Sequence, residues 1–161
     1  MPELPEVETI GRALNEYLTG KTIRNVQLFA EKMRESLDSL RDERLVGKKV
    51  LAVRRRGSYL IVDLEDSLAL LMHFGMTGVL KTVPLDQERA KHEHIIFDLG
   101  NNESLRFECP RRFSLCKLIE LEFPGAIPGE LDKLDVHTGL LFQPQGVGIG
   151  IIVQNVGGSV D

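Results

Sequence analysis

Four short segments of this sequence combine side chains that could carry out chemistry, and the first opens the chain as Met1-Pro2-Glu3-Leu4-Pro5-Glu6. Pro2 is small enough to permit removal of the initiator methionine, which would expose a secondary amine. Because an α-amino group titrates near neutral pH, part of it would be an uncharged nucleophile that can form an imine with an electrophilic sugar carbon. Glu3 and Glu6 could then transfer protons at the sugar ring oxygen. The alternative is a proline-rich leader before a helix.

The other three segments are expected in loops or at the start of strands. His73-Phe74-Gly75-Met76-Thr77-Gly78 is either a hairpin turn or a tight loop that holds out an apolar side chain to fill a gap in a base stack. Lys91-His92-Glu93-His94 is a polar strand start, a phosphate contact or, since His92 and His94 share one strand face, part of a metal site with a cysteine. Cys109-Pro110-Arg111-Arg112-Phe113 is a solvated loop, or a guanidinium and a ring that read and stack on a base.

The composition limits the classes of protein that can present these segments. A chain of 161 residues, 42% of them hydrophobic, is long enough for one globular domain with a core. It has no run of eighteen apolar residues and no basic and then apolar start, so neither a membrane span nor a secretory signal is expected. Cys109 and Cys116 are the only cysteines, which predicts reduced thiols and a cytoplasmic location.

The net charge of −4 conceals a basic stretch in the first half of the chain. Between Arg44 and Val62 there is no negative residue, and the positive ones are Arg44, Lys48, Lys49, Arg54, Arg55 and Arg56. Such segregation could give an acidic protein one basic face for phosphate binding. A solvated strand edge that carries lysine and arginine is the simpler interpretation of the stretch taken alone.

One helix and a series of short strands must position these segments. Pro5 and Glu6 favour a helix start, Gly20 favours its end, and apolar residues at helical spacing predict a buried stripe of Val7, Ile10, Leu14, Tyr17 and Leu18. Turn residues then separate eight candidate strands, at 22–28, 48–56, 59–64, 68–73, 79–83, 94–99, 104–108 and 114–120. Residues 36–45 are expected to form a short additional helix. The predicted fold is α+β and mainly β, a two-layer antiparallel sandwich with a long N-terminal helix.

In order and spacing, the four segments together resemble the formamidopyrimidine-DNA glycosylase and endonuclease VIII family. The opening Pro2-Glu3-Leu4-Pro5-Glu6-Val7-Glu8 is typical of the formamidopyrimidine branch. Gly75-Met76-Thr77-Gly78, Lys91-His92-Glu93-His94 and Pro110-Arg111-Arg112-Phe113 match loops of the family at the expected intervals. The resemblance covers about residues 1–120.

The resemblance implies a base-excision-repair enzyme that is both a DNA glycosylase and an abasic-site lyase. Pro2 would attack C1′ of a damaged nucleoside and form a Schiff base, Glu3 would act as acid and base near O4′, and Glu6 would support proton transfer. The substrates would be oxidised purines, such as 8-oxoguanine and ring-opened formamidopyrimidines, and β,δ-elimination would cleave the strand. The lesion base would be flipped out, because its C1′ cannot be reached inside the stack.

The same resemblance implies a set of DNA contacts. Met76, Arg111 and Phe113 would fill the space that the flipped base leaves, with Arg111 facing the orphaned partner base. His73 and His92 would contact backbone phosphates. The implied partner is damaged double-stranded DNA, bound by a monomer.

The sequence departs from the family pattern at three positions. Within Arg55-Arg56-Gly57-Ser58-Tyr59, Ser58 stands where the family has a lysine that contacts phosphate. Serine can still donate a hydrogen bond to a phosphate, but the long-range attraction of a cation is lost. Cys109 stands where the family usually has aspartate and Ser114 where it usually has glycine, so the arginine-bearing loop is expected to be held differently.

Residues 1–121 are expected to form the N-terminal catalytic domain of the family, and residues 122–161 a divergent tail. Between Val136 and Val160 the tail has no Asp, Glu, Lys or Arg. The family's helix–two-turn–helix module and four-cysteine zinc finger are expected to be absent from it, although Gly148-Ile149-Gly150 is similar to a glycine-rich piece of that module. No cofactor or metal is therefore expected in this chain. The alternative function is a catalytically impaired damaged-DNA-binding module, or a truncated pseudoenzyme of the same family.

Overall fold

A computed structural model of the chain describes residues 4–129 and 131, and its main elements are one long helix and two four-stranded antiparallel sheets. The elements are α1 (Leu4–Leu18), β1 (Asn25–Leu28), β2 (Val50–Arg56), β3 (Tyr59–Leu64), β4 (Leu68–His73), β5 (Val79–Pro84), β6 (Glu93–Gly100), β7 (Glu103–Glu108) and β8 (Leu115–Glu120). One sheet has the strand order β1-β6-β7-β5 and the other β2-β3-β4-β8. This architecture confirms the predicted fold.

The predicted stripe of α1 is buried. The exposed fractions of Val7, Ile10, Leu14, Tyr17 and Leu18 are all 8% or less. The helix packs mainly on β2, and Gly11 allows close approach because a Cβ there would lie 3.1 Å from the Leu60 side chain. Gly20 ends the helical segment with a φ of +90°, a conformation that glycine adopts without steric cost. In the part of the chain that the structure describes, no helix is long and apolar enough to cross a membrane.

The short additional helix expected over residues 36–45 is 3₁₀ in type. The segment forms two 3₁₀ turns, Asp38–Arg41 and Glu43–Leu45. Asp42 separates the turns in an extended conformation, and its carboxylate accepts a hydrogen bond from the Arg44 amide at 2.8 Å. A side chain that satisfies a local backbone amide in this way competes with continuation of a helix.

Most of the hydrophobic core lies between the two sheets and beneath α1, but the second sheet is buried on both faces. Every residue of β3 and β4 is buried. The outer face of this sheet carries a second apolar cluster, formed by Tyr59, Ile61, Ala69, Leu71, Leu115, Leu121, Ala126 and Leu131. Arg54 clamps the segment after β8 against this face, because its guanidinium pairs with Asp63 at 2.6 Å and donates to the carbonyls of Gly125 and Ala126.

The basic stretch does not form an unpaired basic face. At least four of its cations pair with carboxylates of the same molecule: Arg44 with Asp42 and Glu120, Lys48 with Asp66, Arg54 with Asp63, and Arg55 with Glu8. β2 also lies at the edge of its sheet. The carboxylates that neutralise it come from α1, β3, β8 and neighbouring turns, which favours the simpler interpretation of a strand edge.

Candidate nucleic-acid interface

The methionine loop, residues 74–78, connects β4 to β5 by a tight turn. The amide of Gly78 donates to the Phe74 carbonyl at 2.9 Å, and Gly75 has a φ of +63°. Phe74 is buried and packs against Phe107 with ring centroids 5.9 Å apart, which anchors the start of the loop in the core. Met76 lies within the turn and is half-buried. The turn therefore holds an apolar side chain at the end of a rigid strand.

The arginine loop, residues 109–114, connects β7 to β8. Its first residue, Cys109, is fully buried, and its amide donates to the His92 carbonyl at 2.9 Å. The Arg112 amide donates back to the Cys109 carbonyl at 3.2 Å, and Arg112 has a φ of +58°. Arg111 is exposed and the Phe113 ring is 49% exposed. The buried Cys109 thus supports a loop tip that carries cationic and aromatic groups, which are the groups that contact with nucleobases would require.

The structure brings these two loops into direct contact. A Cβ on Gly75 would lie 2.7 Å from the Phe113 carbonyl oxygen, so only glycine permits this approach. The Ser114 hydroxyl, whose residue has no exposed surface, donates to the Phe74 carbonyl at 2.5 Å. The loops that carry Met76, Arg111 and Phe113 are therefore neighbours, which the sequence could suggest only through the family resemblance.

His73 lies at the end of β4 and is only 3% exposed. Its Nδ1 accepts a hydrogen bond from the Gly75 amide at 3.1 Å, and its ring contacts Tyr59 with centroids 4.8 Å apart. Burial and the nearby positive charge of Arg34 lower the pKa of His73 to about 3, so the imidazole is neutral at physiological pH. A neutral ring that accepts at Nδ1 carries its proton on Nε2. His73 thus organises the methionine loop, and its phosphate contact stays a prediction.

A buried guanidinium shapes the segment that leads into β6. Arg106 is 1% exposed, pairs with Glu93 at 3.0 Å and donates to the Ser104 hydroxyl. Its remaining donors reach backbone carbonyls at the end of β5 and in the β5–β6 loop: Pro84, Leu85, Gln87 and Glu88. Glu93 also pairs with Lys81 and accepts from the Ala90 amide. This network fixes the path of the backbone on which His92 is presented.

His92 and His94 lie close together, but the described part of the chain brings no third metal ligand to them. Their ring centroids are 6.1 Å apart, with His92 half-buried and His94 buried. Within the described residues, no three His, Cys, Asp or Glu side chains are grouped so that they could hold a metal ion. Burial lowers the pKa of His94, and the positive charges of Arg112 and Arg89 lower it further. The surroundings of His94 are cationic, which suits an anion better than a metal.

The remaining predicted site residues are less informative. Ser58 lies in the turn between β2 and β3 and is only 3% exposed, so its hydroxyl is not presented to solvent as the lysine of the family pattern would be. Glu6 lies in the first turn of α1 and is exposed. Pro2 and Glu3 lie outside the described residues, as does Gly148-Ile149-Gly150. The roles of these residues stay predictions.

One pair of residues beside the interface was not predicted from the sequence. The Arg89 guanidinium lies 4.2 Å from the centroid of the Phe29 ring, which is 42% exposed. Arg89 Nη1 donates to the carbonyls of Ala90 and Lys91, and the Phe29 amide donates to the His94 carbonyl. The two residues are sixty positions apart and belong to no motif, so neither gave a local signal.

The cations around the arginine loop differ from those of the basic stretch in how they pair with carboxylates. Within residues 4–129, Lys91, Arg111 and Arg112 make no ion pair, and all three are exposed. Unpaired guanidinium and ammonium groups keep their full attraction for phosphate. Exposed cations, an exposed aromatic ring and a methionine held in a rigid turn together match the chemistry of a surface that contacts both DNA backbone and bases.

Comparison with known proteins shows to which family the chain belongs. Residues 1–116 match the family model described as the formamidopyrimidine-DNA glycosylase N-terminal domain. Among similar proteins, the formamidopyrimidine-DNA glycosylase of Rickettsia canadensis (strain McKiel) is 39% identical over 123 residues, 76% of this chain and 45% of the relative. That of Dichelobacter nodosus (strain VCS1703A) is 39% identical over 125 residues, 77% of this chain and 46% of the relative. The chain thus spans less than half the length of these relatives.

Solved structures agree with the sequence relatives. The wild-type Lactococcus lactis FPG (MutM), in complex with DNA that contains an oxidised pyrimidine, has a TM-score of 0.68 and 32% identity, covering 74% of this chain and 44% of that one. A complex of the Lactococcus lactis protein with abasic-site DNA has the same TM-score, 31% identity and the same coverages. Together with the matched domain and the paired loops, these likenesses show that the chain belongs to the formamidopyrimidine-DNA glycosylase family.

Proposed function

We propose that this chain provides the catalytic half of a DNA glycosylase and abasic-site lyase that removes oxidised purines. The observation that carries the proposal is the contact between the methionine and arginine loops, which brings the loop of Met76 against the loop of the exposed Phe113 and Arg111. An enzyme that flips a base out of the stack must fill the space left behind, and neighbouring apolar and cationic side chains suit that task. The relatives are named as formamidopyrimidine-DNA glycosylases, which supports this reaction.

In the proposed reaction, the amine of Pro2 forms a bond to C1′ while the bond from C1′ to the base breaks, and the proton that the amine loses passes to the departing base. Glu3 donates a proton to O4′, which opens the sugar and leaves an iminium (a cationic Schiff base) between the chain and the abasic site. Glu6, in the first turn of α1, supports proton transfer. β- and δ-elimination then release the strand ends. Met76, Arg111 and Phe113 hold the duplex open, while His73 and His92 contact phosphates.

Borohydride trapping on an abasic-site duplex tests the covalent step. We expect a covalent protein–DNA adduct from protein whose N-terminus is shown by mass spectrometry to be Pro2. Pro2→Leu removes the secondary amine and leaves the methionine in place, so this variant should form no adduct while it keeps its affinity for the duplex. If processed wild-type protein forms no adduct, the catalytic proposal fails.

A binding module without catalysis is the second candidate, and Ser58 is the observation that favours it. A buried serine takes the place of the phosphate-contacting lysine of the family pattern. This candidate predicts salt-sensitive binding to an abasic duplex with no borohydride-trapped adduct. The absence of binding at low salt would exclude both candidates.

A further inference from the structure

The Ser114 hydroxyl occupies an unusual position, because it links the two loops of the proposed interface. Its acceptor, the Phe74 carbonyl, is the same oxygen that receives the Gly78 amide and closes the methionine turn. On its backbone side, the Ser114 carbonyl accepts from the Arg34 amide at 3.0 Å. Ser114 therefore joins the turn that carries Met76, the loop that carries Phe113 and the segment after β1.

The groups around this hydrogen bond are packed so closely that a movement of one loop would be transmitted to the other. Gly75 lies against the Phe113 backbone with no room for a Cβ, and a Cβ on Gly78 would collide with the Ser114 hydroxyl. Both loops are also fixed at their other ends, by the buried Phe74 ring and the buried Cys109. Because closely packed groups move together, a shift of one loop tip must displace the other.

Burial of a serine hydroxyl does not by itself indicate a function. Ser104 is equally buried, and its hydroxyl donates to the Val83 carbonyl at 2.8 Å. That bond joins two neighbouring strands of one sheet, β5 and β7, which are already paired along their length. The Ser114 bond lies just beyond the end of the β4–β8 pairing, whose last pair is His73 with Leu115, and within the described residues it is a side-chain hydrogen bond that joins the two loops themselves.

We propose that Ser114 is a positioning residue that couples the methionine loop to the arginine loop, so that Met76 and Phe113 enter a damaged duplex as one unit. This inference rests on the proposed function of the interface. Two loops that are already held together lose less conformational freedom when their side chains insert than two loops that are ordered separately. Without the hydroxyl, the two loops keep only their packing contacts, and the coupling between Met76 and Phe113 should weaken.

A double-mutant cycle measures this coupling. Met76→Ala, Phe113→Ala and the double variant are compared by their Kd for a duplex that contains a tetrahydrofuran abasic analogue. With Ser114 present, the double variant should lose about fivefold less affinity than the product of the two single losses. In a Ser114→Ala background the effects should multiply to within about twofold. Ser104→Ala is the matched control and should leave the coupling unchanged.

A measurement without DNA separates this inference from the proposed function. The ¹³C-methyl resonance of Met76 should shift when Phe113 is replaced by leucine, and the shift should disappear in Ser114→Ala. Ser114→Gly, which also removes the hydroxyl, provides a second background if the alanine variant does not fold. If the wild-type protein binds no duplex, the proposed function fails, and the coupling in DNA with it. If it binds and the coupling persists without the hydroxyl, only the role of Ser114 is overturned.

Discussion

At the scale of single residues, His73 is a buried side chain that serves as a hydrogen-bond acceptor. Its imidazole must be neutral to fit its site, and its Nδ1 receives the amide that begins the methionine turn. A histidine whose folded-state pKa lies below its unfolded value takes up a proton only on unfolding as the pH falls. The stability that this group contributes is therefore complete above about pH 6.5 and is lost as the pH falls towards 3.

The predicted consequence is a pH-dependent stability difference between the wild-type protein and His73→Asn. The asparagine carbonyl can still accept the Gly75 amide in the place of Nδ1, but it does not titrate. Between pH 6.5 and pH 4, the free energy of unfolding of the wild-type protein should fall more steeply, by the equivalent of about one proton. Urea denaturation at intervals across this range measures the difference. Parallel curves for the two proteins would show that His73 is not buried as described.

The candidate site was predictable only where it is local in sequence. The segments around Met76, His92 and Arg111 are contiguous, so their residue types suggested loops that contact bases and phosphates. Ser114 was noted only as a departure from the family pattern, because its acceptor, Phe74, lies forty positions away. Burial of His73 and Ser58 was also not evident, since both are polar residues next to turns or strand ends.

At the scale of secondary-structure elements, the alternation of apolar and polar residues and the turn residues predicted strand bounds close to those observed. β3 and β4 have their predicted bounds, whereas β1 begins at Asn25 and not at residue 22. Thr22 instead forms an isolated bridge with Lys49, outside the strand. The buried polar networks were not predicted at all, since Arg106 finds its partners in a different strand and in the β5–β6 loop.

The Arg106 network should dominate the stability of the β5–β6 loop. Arg106→Ala would leave the fully buried Glu93 with one cationic partner fewer and would remove several backbone contacts. Breaking a buried pair in this way typically costs about 3–5 kcal/mol of unfolding free energy. Arg12→Ala, which removes an exposed helical pair with Glu8, should cost less than about 0.5 kcal/mol. Chemical denaturation of both variants compares them, and equal costs would refute the network's role.

At the scale of the whole molecule, net charge is a poor guide to where nucleic acid would bind. The chain carries −4 overall, and its most basic stretch is neutralised by carboxylates from α1, β3, β8 and neighbouring turns. The cations that make no ion pair within the described residues include those around the arginine loop, which is short and less basic by count. Pairing across the fold, and not the number of charges, sets the electrostatic surface.

The proposed interface therefore predicts a specific salt dependence. Arg112→Ala should weaken binding to any duplex and reduce the slope of log K against log salt by about 0.9, the value for one phosphate contact. Phe113→Ala should weaken binding to an abasic duplex with no change of slope, because stacking releases no counterions. Arg24→Ala, an exposed arginine at the opposite end of β6, is the control and should change neither quantity. A reduced slope in Arg24→Ala alone would place the DNA elsewhere.

The two buried thiols have a practical consequence for kinetics. Cys109 and Cys116 are at most 1% exposed, and burial raises the pKa of Cys116, so neither should react with a thiol reagent in the closed molecule. Cys116 pairs with Met72 inside the second sheet, whereas Cys109 is the first residue of the arginine loop and lies outside the strands. Local opening requires less free energy than disruption of a sheet. The ratio of the alkylation rate of Cys109 to that of Cys116 therefore measures how often the arginine loop opens while the two sheets stay folded.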